Sequence, residues 1–230
     1  MTLKSGLSLK RTLIALFVVL ATLGKPNDSI AEMKSFPAQA RLFLGSTTVS
    51  PTELNQTMSS QGLPTFGNIG EYGVEITYAA LRFLDVGLRY EHKSTLKSGT
   101  NVSDFGSLSQ DVGLLVARIP IIRTSLFKVD VYGGVGGANT SFELTTSGTS
   151  GKLTKSATQD TFASPFLSTG ASAGVGYKSF YFFVESGLER NLVSGFSKTG
   201  TISGTVNTAG LNGAYAMFGI LFDGVTARQR

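Results

Sequence analysis

The chain has 230 residues, of which 41% are hydrophobic and 15% are charged, and it contains 28 glycines but no cysteine and no tryptophan. The lack of cysteine excludes disulfide bonds, thiolate metal sites and the modified cysteine of a lipoprotein leader. The formal net charge of +5 is concentrated in residues 1–31, which hold four basic side chains and one acidic side chain, and because no basic cluster follows we expect no nucleic-acid partner.

The first 31 residues have the layout of a secretory signal peptide. Lys4, Lys10 and Arg11 form a basic start, and an uncharged apolar run follows at 13–23. That run is about half the ~20 residues that a helix needs to span a bilayer, which disfavours the alternative of an uncleaved anchor. Ser29-Ile30-Ala31 offers a small-x-small cleavage site. We therefore expect cleavage after residue 31, export, and a short periplasmic segment at 32–38.

Eight segments with strand patterns follow, and the connections between them alternate in length. The joins after the second, fourth and sixth strands are short, whereas the other four are long and rich in Ser, Thr, Gly and Lys. Short turns at one end and long polar loops at the other are typical of a transmembrane barrel with its turns in the periplasm. The predicted strands are 39–49, 69–79, 82–92, 107–119, 128–142, 166–177, 180–190 and 210–222.

The second and third strands show the clearest alternation. From Glu71 to Glu91 nearly every second residue is apolar or aromatic, and most residues between are charged, hydroxylated or glycine. This period of two gives a strand two unlike faces, and the leader and loop lengths favour lipid against the apolar one. The residues predicted to face lipid are Tyr72, Val74, Ile76, Tyr78, Leu84, Val86, Leu88, Tyr90, Val112, Leu114, Val116, Phe180, Phe182, Val184, Phe218, Ile220 and Phe222.

Lipid also requires that the sheet be closed. With no water in the hydrocarbon region, each unpaired backbone group at an open edge costs several kcal/mol. We predict an all-β fold, an eight-stranded antiparallel up-and-down transmembrane β-barrel at 39–222, with its first and eighth strands paired and a short tail at 223–230. A soluble lipocalin-like barrel with its apolar face around a ligand is the alternative, and aromatic residues at the strand ends argue against it.

The opposite face collects the charged side chains. If the second and third strands turn near Ala80, Glu71 lies opposite Arg89 and Glu75 lies opposite Asp85; a tight turn at 178–179 pairs Ser172 with Glu185. Eight-stranded barrels have interiors just filled by side chains, so we expect a polar network that fills the lumen, with a narrow pore for small cations or solutes as the alternative. The predicted lumen residues are Glu71, Glu75, Asp85, Arg89, Glu91, Asp111, Lys128, Asp130, Glu185 and Glu189.

The fifth strand contains a glycine-rich run at 132–137, and the last strand ends on the pattern Phe218-x-Ile220-x-Phe222. Together with the leader and the alternating strands they resemble the OmpA-like small outer-membrane β-barrels, over essentially the whole mature chain. The resemblance implies the bacterial outer membrane, insertion by the outer-membrane assembly machinery, contact with outer-membrane lipids and lipopolysaccharide, and a monomer. It also implies a structural or surface-interaction role carried by four polar extracellular loops. The tail after Phe222 departs from the family, whose barrels commonly end on the aromatic residue.

His92 is the only histidine, and Ser94 follows it where the third strand meets its outer loop. The segment 87–94 resembles the strand that carries the catalytic residues of the lipid A deacylase barrels, which implies His92 as general base and Ser94 as nucleophile. Thr95 stands where that family usually has asparagine, and Asp104 and Asp111 are the nearest acids. A solvated histidine at the bilayer boundary is the other interpretation, and the sequence favours a protein that is not an enzyme.

The outer loops contain no metal-ligand spacing and no phosphate-binding loop, so we expect neither a metal nor a cofactor. Their lysines are candidates to meet lipopolysaccharide phosphates, although scattered lysines also keep loops soluble. The residues concerned are Lys93, Lys97, Lys152, Lys155 and Lys198.

Overall fold

The computed structural model describes residues 38–101, 103–146, 149–155, 164–201, 206 and 208–224. The predicted signal peptide, residues 32–37 and the tail beyond residue 224 lie outside the described residues. No helix in the described part of the chain is long and apolar enough to cross a membrane. The elements in chain order are β1 Ala38–Thr48, α1 Thr52–Ser60, β2 Asn68–Leu81, β3 Leu84–Ser98, β4 Phe105–Arg123, β5 Phe127–Thr146, β6 Thr149–Lys155, β7 Pro165–Tyr177, β8 Phe180–Ser194, β9 Ser197–Gly200, β10 Thr208–Gly210 and β11 Gly213–Asp223.

Eight of these strands form a closed antiparallel ring, which confirms the predicted barrel. Each of β1 to β5 pairs with its neighbour in sequence, β5 pairs with β7, β7 with β8, and β8 with β11. The ring closes where β11 pairs with β1, from Gln39 opposite Asp223 to Thr47 opposite Tyr215. Closure leaves no open edge among the ring strands, as a sheet surrounded by lipid requires.

The short turns set the register of the hairpins. The β7–β8 turn places Lys178 at φ 58°, a left-handed conformation that suits a tight hairpin turn, and Ser172 lies opposite Glu185 as predicted. The predicted register of the β2–β3 hairpin was wrong. Strand β2 continues past Ala80, so Glu75 lies opposite Arg89 and Glu71 opposite Lys93.

The outer surface of the ring is apolar, whereas the lumen combines the charged side chains with a buried cluster of Phe43, Tyr132, Tyr181, Phe183, Tyr215, Met217 and Leu221. Along β8 the exposed and buried residues alternate almost without interruption; Phe182 is 61% exposed, whereas its neighbour Phe183 is 3% exposed. The residues that were predicted to face lipid and that lie on the outer surface are Tyr72, Val74, Ile76, Tyr78, Leu84, Val86, Leu88, Tyr90, Phe180, Phe182, Val184, Phe218, Ile220 and Phe222.

The prediction for β4 was wrong, because the two faces of this strand are exchanged. Val112, Leu114 and Val116 are buried in the lumen, whereas Leu115 is 60% exposed on the outer surface. Apolar residues stand at both odd and even positions of β4, so alternation alone does not fix which set points outward. The charge of Arg118 decides it, since only the lumen side supplies carboxylates for a buried guanidinium.

Glycine makes room in the lumen for large side chains. The hydroxyl groups of Tyr132 and Tyr215 meet at 2.5 Å, and Tyr132 also bonds Ser168 at 2.7 Å. A Cβ at Gly170 would overlap with the Tyr215 hydroxyl group. A strand residue without a side chain is therefore required where these rings cross the lumen.

The outer loops fold into a cap, where the sequence predicted only polar loops. Strand β6 pairs with the upper part of β5 and with β9, and β10 pairs with β8. The helix α1 places Leu54 and Met58, which are four residues apart, on one buried face. The buried apolar cluster consists of Val49, Leu54, Met58, Leu63, Phe66, Ile69, Leu108, Phe142, Leu144, Leu153, Val193, Val206, Ala209 and Leu211.

Polar contacts fix the cap to the barrel end. The side chain of Asn55 accepts a hydrogen bond from the Phe66 backbone N–H at 2.8 Å and donates to the Phe66 carbonyl at 3.0 Å. Glu53 accepts hydrogen bonds from the backbone N–H and the hydroxyl of Thr208, at 3.1 and 2.8 Å. The helix is therefore held both to the chain that follows it and to the strand β10.

Candidate functional site

Arg118 is the centre of the ionic network in the lumen. Its guanidinium donates two hydrogen bonds to Glu75, at 2.5 and 2.7 Å, one to Asp130 at 2.6 Å and one to Glu185 at 2.8 Å. The Tyr132 ring lies beneath it, with the guanidinium carbon 4.5 Å from the ring centroid. Burying a guanidinium away from water is costly, and it is tolerated only when carboxylates and hydrogen bonds satisfy its charge and its N–H groups, as they do here.

Two further arginines extend the network on either side. Arg41 forms an ion pair with Asp130 at 2.7 Å and donates to the Ser172 hydroxyl at 2.9 Å. Arg89 contacts Glu185 at 2.6 Å and Glu91 at 2.5 Å. These ion pairs connect β1, β3, β5 and β8 across the lumen, so the interior is held together by charge as well as by packing.

A second group of charges lies nearer the cap and is centred on Lys93. Its ammonium group lies 2.9 Å from Glu71 and 3.3 Å from Glu91, and it also contacts Glu189. The three carboxylates bring oxygen atoms within 4.8 Å of one another, a spacing that could hold a metal ion. Because the ammonium already supplies a positive charge between them, we assign no metal to this position.

At the opposite end of the lumen the ion pairs are fewer. Lys128 pairs with Asp223, and Asp85 pairs with Arg123, which is partly exposed. The carboxylate of Asp85 also accepts a hydrogen bond from Gln39 at 3.5 Å. Charged side chains thus occupy the lumen from the turn end to the cap.

The structure places nine of the ten predicted lumen residues in this network. The exception is Asp111, which lies on the outer surface because the faces of β4 are exchanged. The sequence prediction missed Arg118 for the same reason, and it placed Lys93 in a loop because β3 was predicted to end too early. The side chains of Lys152, Lys155 and Lys198 lie outside the described part of the chain. The nine residues are Glu71, Glu75, Asp85, Arg89, Glu91, Lys128, Asp130, Glu185 and Glu189.

A separate polar cluster lies on the outer surface, around the single histidine. The Nδ1 atom of His92 lies 2.8 Å from an oxygen of Asp111, and the Tyr90 hydroxyl donates to the same oxygen at 2.6 Å. The Tyr72 ring lies beside the imidazole, with centroids 5.1 Å apart. Ser94 is exposed on the same face of β3, two residues further toward the cap. His92 and Asp111 are therefore in contact on the outside of the barrel, and Ser94 lies on the same face without a hydrogen bond to His92 among the described residues.

No protein-family model matches the chain, and no curated protein does. Solved structures with a similar arrangement of strands include Neisserial surface protein A, at 9% identity and a TM-score of 0.46, with 81% of this chain and 97% of that one covered. The attachment invasion locus protein Ail of Yersinia pestis has 13% identity and a TM-score of 0.46, with 80% of this chain and 97% of that one covered. The outer membrane protein OprG from Pseudomonas aeruginosa has 14% identity and a TM-score of 0.42, with 82% of this chain and 96% of that one covered. Values this low establish neither a family nor a function, and the fold assignment rests on the strand pairing.

Proposed function

We propose that the chain is an integral β-barrel protein of the bacterial outer membrane, with a structural or surface-interaction role and a closed lumen. The observation that carries this proposal is the reversed polarity of the barrel. Arg118 and Glu75 are buried inside, whereas Leu88 and Phe182 are more than 60% exposed outside. A soluble barrel with this outer surface would aggregate in water, and a lipocalin-like ligand cavity would need the apolar side chains inside. Hydrocarbon around the barrel removes both difficulties.

The height of the apolar surface fits a bilayer. On β8 the outward residues run from Phe180 to Ser194, and Arg190 is the first charged one among them. The ten residues from Phe180 to Arg190, at a rise of about 3.3 Å and a tilt of about 40°, span about 25 Å along the barrel axis. Tyr177 is exposed near the lower limit, and Tyr72 and Tyr90 are exposed near the upper limit. Aromatic residues at both limits of an apolar band of about 25 Å are typical of transmembrane barrels.

The lumen supports a structural role better than a pore. Glu75, which a cation pore would need as a free carboxylate, is bound on both oxygens by Arg118. The apolar cluster of the cap lies over the outer end, among the described residues. We therefore expect no stepwise conductance in a planar bilayer. Reproducible conductance that is lost in Glu75→Gln or Asp85→Asn would favour the pore instead.

The proposed location predicts where the protein is found in cells. We expect the full-length chain, expressed in a Gram-negative bacterium, to sediment with the outer membrane and to resist extraction by urea. On a gel the unheated protein should migrate differently from the heated protein, because a closed barrel stays folded in detergent. Recovery of the folded protein in the soluble periplasmic fraction would contradict the proposal.

A second candidate function is hydrolysis of an acyl ester in the outer leaflet, and the 2.8 Å contact between His92 and Asp111 favours it. If Nδ1–H donates to Asp111, Nε2 remains as the base that accepts the Ser94 proton while the serine oxygen attacks the ester carbonyl. Collapse of the tetrahedral intermediate breaks the ester bond, and the departing alcohol takes the proton from Nε2. Water then gives a proton to the same nitrogen, attacks the acyl-serine and releases the fatty acid, while the serine oxygen regains a proton. The cluster lies near the upper limit of the apolar band, where ester groups of outer-leaflet lipids would be.

This candidate predicts a change in lipid composition. Expression of the wild-type chain should lower the mass of lipid A by one acyl group, as read by mass spectrometry of extracted lipid. His92→Gln and Ser94→Ala should each reduce the rate by at least about 10³-fold, since the groups act as a unit. Ser98→Ala, an exposed serine on the same face of the same strand, serves as the control. Lipid A of unchanged mass in wild-type cells would exclude the deacylase activity and leave the structural role.

A further inference from the structure

One side of the barrel has a depression in its apolar outer surface. Where β7, β8 and β11 run side by side, Ser186 lies between Ala171 and Ala216. Two adjoining grooves of about 800 and 710 Å³ lie along these strands, bordered by larger side chains such as Leu167 and Phe218. Small outward residues on three neighbouring strands thus create space that lipid can enter beside Leu188, which is 63% exposed and stands on β8 between Ser186 and Arg190.

The upper end of the larger groove is polar. Arg190 and Asn212 line it there, and Arg190 stands at the upper limit of the apolar band. None of the ion pairs among the described residues includes Arg190. The side-chain oxygen of Asn212 accepts a hydrogen bond from the Asn191 backbone N–H at 2.9 Å, which orients its amide group and leaves the NH₂ hydrogens for another partner. An arginine and an oriented amide are donors that suit a phosphate group.

We propose that this groove binds one phosphorylated lipid of the outer leaflet, with an acyl chain along the depression and the headgroup phosphate on Arg190 and Asn212. The occupant is the lipid A part of lipopolysaccharide, because this is the phosphorylated lipid of the leaflet that Arg190 faces. The inference rests on the proposed outer-membrane location. Since lipid tails are as apolar as the groove, the chain gains only close packing there, and the cationic end supplies the preference for this lipid.

The length of the depression fits this occupant. From Arg190 to Val184 the outward face of β8 covers six residues, or about 20 Å along the strand, which at a tilt of about 40° is about 15 Å along the barrel axis and more than half of the depth of the apolar band. The position of the arginine also fits, because an arginine on the lipid face is tolerated near the interface and not at the middle of the bilayer. Charge and shape therefore point to the same class of ligand.

The test is native mass spectrometry of the full-length protein released from non-ionic detergent, with bis-phosphorylated lipid A as the probe. We expect one lipid A per barrel. Arg190→Gln should lower the affinity about fivefold, which corresponds to about 1 kcal/mol for one arginine near an anionic surface, and Ala216→Phe should lower it by filling the depression. The controls are Arg82→Gln, an exposed arginine at the turn end, and Ala40→Phe, on the outer face of β1; both should bind as the wild type does.

Several results would overturn the inference. These are equal binding by Arg190→Gln, equal binding of dephosphorylated lipid A or phosphatidylglycerol, and a protein dimer that excludes lipid. Each variant is first checked for the heat-dependent gel migration, so that a folding defect is not read as lost binding. If the wild-type protein is in the outer-membrane fraction and still binds no lipid A, the groove inference alone is wrong. If it is not in that fraction, the proposed location is wrong.

Discussion

Replacement of Arg118 by methionine is expected to lower the free energy of unfolding by about 3–5 kcal/mol, the cost of removing one partner from a buried ionic group. Methionine keeps much of the side-chain volume but leaves Glu75, Asp130 and Glu185 without their shared cation. The expected measurement is urea unfolding in lipid vesicles, followed by circular dichroism or by the folded fraction on a gel. A large part of the effect should be electrostatic.

Two comparisons separate charge from packing in this prediction. Arg82→Met removes an arginine that is exposed at the turn end, so it should cost clearly less, about 0.5 kcal/mol or below. Adding Glu75→Gln to Arg118→Met removes one of the carboxylates that lost Arg118 as a partner, so it should restore part of the lost free energy of unfolding. Equal, small costs for both arginines, with no recovery in the double variant, would show that the network does not stabilise the lumen.

Replacement of Val184 by arginine should also be costly, but only in a bilayer. Val184 is 61% exposed on the outer surface of β8 and lies close to the middle of the apolar band. An arginine at the midplane on the lipid face of a barrel costs about 2–4 kcal/mol. The same exposed position in water would change stability by about 0.5 kcal/mol or less. Unfolding of the two proteins in vesicles measures the difference.

Ser194→Arg is the matched control for Val184→Arg. Ser194 is exposed on the same face of β8, at the end of the strand near the cap, where the cost of arginine falls to about 0–1 kcal/mol. The dependence on depth is the informative quantity. If both variants lower the free energy of unfolding by the same amount, the cost of arginine does not depend on depth, and the outer surface of the barrel does not face a bilayer.

The sequence was sufficient to predict the ring and most of its polarity. In β2 and β3 one face is mostly apolar and the other carries charged or small residues, so the period of two determines both the strand and its orientation. In β8 Tyr181 and Phe183 also face the lumen, and Glu185 and Glu189 on the same face identify it as the lumen side. The turn at Lys178 and Ser179 is so short that the amino-acid pattern alone fixes the β7–β8 register. Closure between β1 and β11 follows from the absence of water in the hydrocarbon region.

The orientation of β4 could not be read in the same way. Leu114, Leu115 and Val116 are consecutive, so both phases of alternation place apolar residues outside. Long-range charge pairing decides between them, because Arg118 meets carboxylates from β2, β5 and β8 that are distant in sequence. One signal in the sequence could have indicated the orientation of β4. The predicted lumen residues include more carboxylates than cations, which indicates that a further arginine is buried among them.

The cap and the outer-face cluster depend on contacts that no local pattern specifies. Leu54, Met58 and Phe66 stand among polar residues, and their burial follows from packing against β4, β5 and β8. Likewise, the acid beside His92 is on the neighbouring strand, and only the register of β3 against β4 places Asp111 opposite it. With the wrong phase for β4, the sequence predicted that Asp111 lies in the lumen.

The most direct test of the reversed polarity uses tryptophan, because the chain has none. Phe182 and Phe183 are adjacent on β8, the first 61% exposed on the outer surface and the second 3% exposed in the lumen. Phe182→Trp and Phe183→Trp, each folded into vesicles whose acyl chains carry bromine, give fluorescence that bromine quenches on contact. We expect strong quenching at position 182 and little at 183. Quenching of 183 with 182 unaffected, or of neither, would contradict the account.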